Sequence, residues 1–273
     1  MTYSAVIGLG VAGNFAGHLE QAGEARDFVA VKVKEAIAPK AIFPFYLPKS
    51  RTFLGTYPLS HSQIRFPQGA DNLQIEPEVG LLCDIDYRDG QVVALTPKAF
   101  GAYNDCSIRK EGARKISEKK NWGPASKGVA EQLLPLDHLQ PGGVLDGYRI
   151  ASFLLRDGQV HPYGLDSPVV EYSYFHQTLL DWIVEKMNEQ LDEGPAEHIA
   201  SLLAAADYPA QALISVGATR YTPFGESHFL QVGDRSLVLL YPAAGYTPAE
   251  ILARVEAGEY QGEGISALLQ QVV

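Results

Sequence analysis

The segment IEPEVGLLCDIDY, residues 75–87, places two glutamates in an otherwise apolar run of β-strand character. Side chains two positions apart on a strand point to the same face, so Glu76 and Glu78 would lie side by side. Neighbouring carboxylates repel each other unless a proton or a cation lies between them. The pair therefore predicts a cation site if this strand is buried, and a harmless solvated pair if it lies on a sheet surface.

A third carboxylate follows a second apolar run in FGAYNDCSIRK, residues 100–110, where Asp105 stands close to Arg109. If Asp105 meets Glu76 and Glu78, the three supply hard oxygen ligands suited to Mg²⁺, Mn²⁺ or Ca²⁺, with positions left open for water. Spacing in the sequence does not establish that convergence. Arg109 would hold Asp105 or a substrate carboxylate through its planar guanidinium, or would form a purely structural ion pair.

The segment VIGLGVAGNFAGH, residues 6–18, contains the pattern G-x-G-x-x-G at Gly8, Gly10 and Gly13. This pattern is typical of a dinucleotide-binding turn, with Glu35 as the acid for the ribose, but it also suits a tight strand-to-helix turn. A dinucleotide fold should continue with alternating strands and helices. Residues 39–169 instead contain short β-rich runs separated by prolines and glycines, which favours the tight turn.

Hydrophobic periodicity and turn residues predict the remaining elements. Asp-Gly turns predict hairpins over residues 84–95 and 153–164. Apolar residues at three- and four-residue spacing predict a helix over residues 172–191. The other predicted elements are strands at 3–8, 28–33 and 236–242, and helices at 12–22, 195–206, 247–258 and from residue 264 onward.

Composition limits the class of protein. The chain has 273 residues, which fits one large domain or two small ones, and a formal net charge of −10, which argues against a nucleic-acid partner. Two cysteines and the lack of a charged-then-apolar leader predict a cytoplasmic protein without a disulfide framework. No apolar run approaches the roughly 20 residues of a membrane-spanning helix. A small molecule or a protein is therefore the expected partner.

Several blocks of the chain resemble, in order, motifs of the fumarylacetoacetate hydrolase family. EPEVGLLCDI is similar to the family's ExELAVVIGK, and GAYNDCSIRK to GYTxxNDxSxRD. Three later blocks of this chain are also similar to family motifs: KKNWGPASKG to GKxFDxFxPxGP, LLRDGQVHPYG to VNGExxQ, and ISVGATRYTPFGESHFLQVGD to ILTGTPxGVGxxLxPGD. Near the start of the chain, GLGVAGNFAGHLEQAGE is similar to the family's CVGLNYxDHxxELG. The likeness covers most of residues 5–240. It departs at Lys110, which replaces an acid, and in the substrate loops.

This resemblance implies an α+β fold, a mixed and highly twisted β-roll with peripheral helices. It implies a single domain over residues 1–273, with a βαβ-like N-terminal part over 1–60, a β-roll catalytic core over 61–245 and a helical C-terminal tail over 246–273. It also implies a homodimer.

The resemblance also implies a reaction. Glu76, Glu78 and Asp105 would bind Mg²⁺ or Mn²⁺, or else Ca²⁺, in a hydrolase that cleaves a carbon–carbon bond of an acylpyruvate-like or other 2-oxo or 1,3-dicarbonyl acid. Lys120 would be a second cation at the developing negative oxygen, unless it is an ordinary solvated lysine. The alternatives are a decarboxylase, isomerase or hydratase acting on a related 2-oxo acid, and a catalytically silent member that binds a metal or a small acid.

The resemblance makes His18 the base that activates water, a role suited to an imidazole whose pKa lies near neutral. The family's acid stands three residues further on, where this chain has Gln21. Glu20 is the available acid, but one residue of helix turns a side chain by about 100°. The alternative is that His18 is simply a polar residue on a short helix. Further pocket contacts are assigned to Asn14, Lys49, Arg109 and Tyr221.

Overall fold

The computed structural model describes residues 3–28, 35–70, 72–110 and 112–273, which fold into two large β-sheets, a two-stranded ribbon and short helices. The strands are β1 (Ile7–Ala12), β2 (Ala41–Tyr46), β3 (Leu59–Ser60), β4 (Gln63–Ile64), β5 (Leu73–Gln74), β6 (Pro77–Arg88), β7 (Gln91–Asn104), β8 (Ser107–Ile108), β9 (Lys127–Val129), β10 (Leu134–Pro135), β11 (Tyr148–Arg156), β12 (Gln159–Pro168), β13 (Gln211–Ser215), β14 (Arg235–Pro242) and β15 (Ser266–Val272). The α-helices are α1 (His18–Gln21), α2 (His176–Glu189), α3 (Ile199–Ala205), α4 (Pro223–Ser227) and α5 (Pro248–Glu256). Short 3-10 turns lie at Ala25–Phe28, Phe53–Gly55, Ile116–Lys119, Val144–Gly147 and Val169–Glu171.

The two large sheets mix parallel and antiparallel pairs. The larger has the order β2-β1-β13-β6-β7-β9-β3, with β10 also paired to β7, and its parallel pairs are β1–β13 and β3–β9. The second has the order β12-β11-β14-β15-β4, in which β15 and β4 are parallel. The antiparallel ribbon joins β5 to β8. This mixed arrangement with peripheral helices confirms the α+β fold class that the resemblance implied.

The main core lies between the two sheets and α2. Leu9 and Leu81 of the larger sheet, Ile150 and Leu240 of the second sheet, and Ile183 of α2 belong to one buried cluster. Alternate residues of β11 point the other way and pack with α5 in a second cluster that includes Phe153, Leu237, Ile251 and Val255. Both faces of the second sheet are therefore covered, so β11 and β14 are apolar on both sides.

Both predicted Asp-Gly hairpins are confirmed. Asp89 and Gly90, with φ of 52° and 79°, join β6 to β7, while Asp157 and Gly158, with φ of 51° and 75°, join β11 to β12. Two-residue hairpin turns require left-handed backbone at both positions, which aspartate tolerates and glycine adopts freely. The β6–β7 hairpin matters most for function because its open end carries the predicted carboxylates.

The predicted helices after residue 170 are confirmed with changed bounds. The helix expected over residues 172–191 spans only His176–Glu189, and Leu179, Trp182, Ile183 and Met187 form its buried face as predicted. The helix expected from residue 195 begins later, at Ile199. In α5, Thr247 and Glu250 form the reciprocal hydrogen bonds of a capping box, and proline occupies the first turn. In the described ranges no helix is long and apolar enough to cross a membrane.

The predicted helical tail is wrong from residue 264 onward. Residues Ser266–Val272 form strand β15, which pairs antiparallel with β14 and parallel with β4. Burial alternates along β15, with every second side chain buried from Ser266 to Val272. This two-residue period is that of a strand, and the polar Gln270 is one of its inward-facing residues.

The glycine motif at the N-terminus is part of a strand and forms no dinucleotide-binding turn. The strand expected at residues 3–8 spans Ile7–Ala12, so Gly8 and Gly10 both lie inside β1. A Cβ atom at Gly8 would lie 2.2 Å from the ring of Phe45, and one at Gly10 would lie 2.3 Å from the ring of Phe43. These glycines therefore let the aromatic side chains of β2 cross β1. Since β1 and β2 are antiparallel, the described strands of this segment form no βαβ unit.

The turn that follows β1 is tighter than predicted. Gly13 has a left-handed φ of 76°, and the helix expected over residues 12–22 is reduced to the single turn His18–Gln21. Residues 29–33 of the predicted strand 28–33 lie outside the described residues, and Phe28 ends a 3-10 turn. Glu35, the candidate ribose acid, is exposed and accepts a hydrogen bond from Tyr174.

Glu197, in the loop before α3, gives a prediction about stability. Its two carboxylate oxygens are buried without a well-aligned hydrogen bond in the described structure, and burial raises its pKa to about 7 from the ordinary 4.5, although Ser117 and Lys115 oppose that shift. The folded protein therefore holds this proton more tightly than the unfolded chain does, so stability is lost as pH rises through 4.5 to 7. We expect Glu197→Gln to be more stable than the unmodified protein by about 1–3 kcal/mol at pH 8, and by much less at pH 5.

Thermal unfolding across this pH range measures the effect. Glu193→Gln, an exposed glutamate of the same loop, is the control and should follow the unmodified protein. If the melting temperatures of the Glu197→Gln variant and the unmodified protein differed by the same amount at every pH, the prediction would be contradicted.

Candidate metal centre

The predicted convergence of Glu76, Glu78 and Asp105 is present in the structure. One carboxylate oxygen of each lies within 4.8 Å of the others, and all three residues are buried, with exposures of 3%, 2% and 0%. The β6–β7 hairpin produces this arrangement because Pro77 pairs with Asn104 at its open end. The Asp105 main-chain N–H then donates to the Glu76 carbonyl at 2.9 Å.

A polar network behind the hairpin holds these ends in place. The Asn104 side chain accepts a hydrogen bond from the Glu76 main-chain N–H at 3.1 Å and donates to Gln270 of β15 at 3.1 Å. Gln270 in turn donates to the Ser60 and Gln63 carbonyls. Strand β15, for which the sequence predicted a helix, therefore supports the candidate metal centre.

The oxygens of this cluster fit a divalent cation. Glu76 Oε1 and both carboxylate oxygens of Asp105 are buried, and none accepts a well-aligned hydrogen bond from the described residues, although cationic groups lie close. Glu78 Oε2 accepts a hydrogen bond from the Gly217 N–H at 2.7 Å. Three carboxylates with open lone pairs are the donor set that hard ions such as Mg²⁺ and Mn²⁺ take.

The three carboxyl groups differ in acidity. Burial raises the pKa of Glu78 well above its usual range, and the neighbouring charges of Asp105 and Glu76 raise it further. Burial also raises the pKa of Asp105, although Lys120 and Lys127 oppose that shift. At Glu76, Lys120 and Arg109 outweigh the effect of burial and lower the pKa. Glu78 is therefore the carboxyl group that most needs a proton or a metal ion beside it.

Lys120 lies inside the cluster rather than on the surface. Its exposure is 3%, and its Nζ lies 2.6 Å from both Glu76 Oε2 and Asp105 Oδ2. Burial acts to lower its pKa, but the charges of Asp105 and Glu76 outweigh burial and raise it. The ammonium group is therefore charged, and two of its three N–H donors face carboxylates.

His18 begins α1 and points into the same small cavity. Its Nδ1 lies 2.8 Å from the Thr219 carbonyl oxygen, which can only accept, so Nδ1 carries the proton and Nε2 of the neutral ring has a free lone pair. The side chain is buried, and burial lowers its pKa below the usual 6.5 despite the opposing charge of Glu76. His18 is thus an uncharged imidazole with the electronic properties of a base.

Glu24, and neither Glu20 nor Gln21, is the acid placed in the cavity with His18. Glu20 is exposed, and the Gln21 side chain bonds the main chain of Tyr221. Because α1 ends after one turn, the chain reverses at Gly23, and the Glu24 N–H donates to the Leu19 carbonyl at 2.9 Å. The sequence prediction of Glu20 assumed a continuous helix, and the structure places Glu24 in the cavity instead.

Two cations hold Glu24. Its Oε1 lies 2.8 Å from both Arg109 Nη1 and Lys119 Nζ. Burial would raise its pKa, but Arg109 and Lys119 outweigh that effect and lower it to about 2. The carboxylate is therefore ionised at neutral pH and joins the first helix to the metal cluster.

Glu24→Gln is expected to destabilise the protein by about 3–5 kcal/mol, since it removes the negative charge that faces the buried Arg109 and Lys119. Denaturant unfolding measures the loss. Glu20→Gln, on the exposed side of the same turn, is the matched control and should stay within about 0.5 kcal/mol of the unmodified protein. Equal stabilities for the two variants would contradict the placement of Glu24.

Arg109 organises the cluster through all sides of its guanidinium group. Nε donates to Gln74 at 2.6 Å, Nη1 lies 2.7 Å from Glu76 Oε1 and 2.8 Å from Glu24, and Nη2 donates to the Tyr221 hydroxyl at 2.8 Å. The arginine therefore holds Glu76 and Glu24, whereas the sequence offered Asp105 as its partner. Of the two predicted roles for Arg109, binding a carboxylate of the site or substrate and forming a structural ion pair, this geometry favours the structural ion pair.

The other three predicted pocket residues are placed differently. The Tyr221 hydroxyl also donates to the Ile75 carbonyl, so this side chain is engaged inside the protein. Asn14 bonds the main chain of Tyr174 and Val216, which ties the first turn to β13. Lys49 lies on the surface, where its side chain is 73% exposed and pairs with Asp207 at 3.5 Å. A contact of these residues with a substrate stays a prediction.

The cavity at the cluster is small, with a volume of about 20 Å³. His18, Glu24, Lys120 and the three carboxylates supply its polar wall, and the apolar wall consists of Val11, Leu19, Phe43, Ile116 and their neighbours. This volume holds about one water molecule or one ion. A larger ligand requires the walls to move.

The sequence matches the model of a family of unknown function, DUF5718, over residues 24–272. The chain belongs to DUF5718. The matched span contains Glu24, the three carboxylates, Arg109 and Lys120, whereas His18 precedes it. No curated protein matches the sequence.

Solved structures show which fold this DUF5718 chain has. A candidate fumarylacetoacetate isomerase/hydrolase from Oleispira antarctica is 13% identical, with 98% of this chain and 93% of that chain covered and a TM-score of 0.54. A 2-hydroxyhepta-2,4-diene-1,7-dioate isomerase from Mycobacterium marinum is 15% identical, with 98% and 74% covered and a TM-score of 0.53. A 2-keto-3-deoxy-D-arabinonate dehydratase is 12% identical, with 97% and 72% covered and a TM-score of 0.52. The chain is thus a divergent representative of the fumarylacetoacetate hydrolase fold, as its motifs implied.

Proposed function

We propose that this chain is a divalent-metal-dependent enzyme that hydrolyses a carbon–carbon bond in an acylpyruvate-like 2-oxo acid. The observation that carries the proposal is the composition of one buried cavity. Three buried carboxylates, a charged lysine and a neutral histidine with a free Nε2 line it together, and oxygens of Glu76 and Asp105 accept no well-aligned hydrogen bond from the described residues. A small-acid substrate, a homodimer and a cytoplasmic location belong to the same proposal and stay predictions.

The cavity supplies the parts of such a reaction. A divalent ion held by Glu76, Glu78 and Asp105 would polarise the carbonyl oxygens of a bound 2-oxo acid. His18 Nε2 accepts a proton from water, and the resulting hydroxide adds to the carbonyl carbon remote from the carboxylate. The bond between that carbon and the next then breaks, its electron pair forms the enolate of the departing 2-oxo acid, and the proton that His18 took from water is transferred to the enolate carbon.

Lys120 suits the charge that develops in this step. Two of its N–H groups face Glu76 and Asp105, which leaves the third to bond the enolate oxygen. Because the cavity is buried, a fixed ammonium there stabilises a developing anion more strongly than a solvated one would. Glu24 and Arg109 hold the surrounding groups in place and are assigned no proton transfer.

The related 2-oxo acid reactions differ in their need for a water-activating base. Hydrolysis requires one, whereas a metal-dependent decarboxylation does not. The neutral, buried His18 with a free Nε2 favours hydrolysis. A different observation favours a catalytically silent protein that binds a metal and a small acid. The side chains of Asn14, Arg109 and Tyr221, which were predicted to contact a substrate, all form hydrogen bonds inside the protein.

One experiment separates these functions. The purified protein, with Mn²⁺ or with EDTA, is given an acylpyruvate and oxaloacetate, and oxalate binding is measured by calorimetry. Mn²⁺-dependent release of a carboxylic acid and pyruvate from the acylpyruvate supports the proposal. Release of carbon dioxide from oxaloacetate alone would replace it with a decarboxylase, and binding of Mn²⁺ and oxalate without turnover of either acid would replace it with a silent binding protein.

A further inference from the structure

Lys127 is a fully buried lysine outside the set of candidate site residues that the sequence predicts. It lies at the start of β9 with 0% exposure. Its Nζ donates to the main-chain carbonyls of Asp105, at 3.1 Å, and Cys106, and it lies 5.3 Å from the ring centroid of Trp122. The ammonium group thus binds the chain at the position where one of the candidate metal ligands is attached.

Lys127 and Lys120 lie on different oxygens of the same carboxylate. Lys127 Nζ is 3.4 Å from Asp105 Oδ1, and Lys120 Nζ is 2.6 Å from Asp105 Oδ2. An ammonium group has three N–H donors. Lys127 donates two of its N–H groups to main-chain carbonyls, and its charge also faces Asp105 Oδ1 without a well-aligned hydrogen bond.

The position of Lys127 carries an energetic cost. Taking an ammonium group out of water costs several kcal/mol, and only well-placed acceptors offset that cost. The described structure offers one carboxylate to Lys127, that of Asp105. The acceptors of this buried charge therefore all belong to Asp105 and the residue after it.

We propose that Lys127 is a positioning residue that fixes the Asp105 carboxylate and its main chain in the geometry needed to ligate a divalent cation. This inference rests on the metal site of the proposed function, and it concerns a residue of the KKNWGPASKG block to which the resemblance assigns no role. Groups that orient a metal ligand typically contribute 10- to 100-fold to metal affinity, and we expect a contribution of that size from Lys127.

The test compares Mn²⁺ dissociation constants by calorimetry for the unmodified protein, Lys127→Met and Lys127→Gln. Methionine keeps the length and removes every donor, and we expect about 10- to 100-fold weaker Mn²⁺ binding. Glutamine keeps a neutral donor and should restore part of that affinity. Lys98→Met, an exposed lysine on β7, is the control and should change the dissociation constant by no more than about twofold.

Thermal unfolding of each variant distinguishes positioning from bulk stability. Lower melting temperatures with unchanged Mn²⁺ binding in both Lys127 variants would overturn the proposal, as would tighter binding. If Lys127→Met does not fold, Lys127→Gln decides alone: weaker binding than the unmodified protein supports the proposal, and equal binding overturns it. Unmodified protein that binds no Mn²⁺ would overturn the metal site and this inference together. Protein that binds Mn²⁺ but turns over no 2-oxo acid would overturn the proposed reaction only.

Discussion

Glu78→Gln is expected to weaken Mn²⁺ binding by at least about 100-fold without lowering the stability of the metal-free protein. Glutamine keeps an oxygen that can accept the Gly217 N–H but loses the charge that a metal ion requires. In the metal-free protein that charge is unfavourable, because burial and the charges of Asp105 and Glu76 raise the pKa of Glu78. Removing it should therefore leave the melting temperature unchanged or raise it.

Calorimetric titration with Mn²⁺ and thermal unfolding test both parts of this prediction. Asp86→Asn, an exposed acid on the same strand, is the control and should alter neither quantity. Mn²⁺ affinity of the unmodified protein should also fall as pH is lowered, since the ion must displace a proton from Glu78. Retained affinity in Glu78→Gln would remove this carboxylate from the ligand set.

His18→Asn is expected to lower kcat for a 2-oxo acid by about 10²- to 10⁴-fold while Mn²⁺ binding is kept. Asparagine can place its amide nitrogen near the position of Nδ1, so the bond to the Thr219 carbonyl can persist, but the Nε2 base is lost. The base acts in its neutral form, and burial lowers its pKa. The rate of the unmodified enzyme should therefore be level at neutral pH and fall only on acidification below the usual histidine range.

Steady-state kinetics and the pH profile decide this prediction. Glu20→Gln, an exposed acid on the same turn, is the kinetic control and should keep the unmodified kcat. If His18→Asn retains its kcat while Glu78→Gln loses activity, water activation by His18 is wrong and a metal-dependent decarboxylation or isomerisation becomes the better account.

The sequence was sufficient to name the three carboxylates but not to prove that they meet. Residues 75–87 and the Asp-Gly turn at 89–90 predict a hairpin, and a regular hairpin around that turn would pair Glu76 with Tyr103. The two register shifts in the hairpin, one between Leu82 and Cys83 and one between Asp86 and Tyr87, move the pairing by two residues and bring Asp105 to Glu76. Bulges of this kind depend on tertiary packing and have no clear local signal.

Other parts of the site escaped prediction for similar reasons. Glu24 was missed because the first helix ends after one turn, so counting along a longer helix led to Glu20. Lys127 stands in a Ser-Lys-Gly stretch that has the composition of a surface turn, and its burial depends on the distant partner Asp105. In strand β15 every second side chain is buried, but the sequence Leu-Leu-Gln-Gln does not alternate between apolar and polar residues and so gives no strand signal. Each residue or element owes its place to contacts between segments far apart in the chain.

The most direct test of the metal site is the anomalous difference density of a crystal soaked in Mn²⁺. One peak is expected among Glu76, Glu78 and Asp105, with an oxygen of each at about 2.1 Å, within about 0.2 Å. A map with no peak among these carboxylates, with Lys120 still bridging Glu76 and Asp105, would contradict the account.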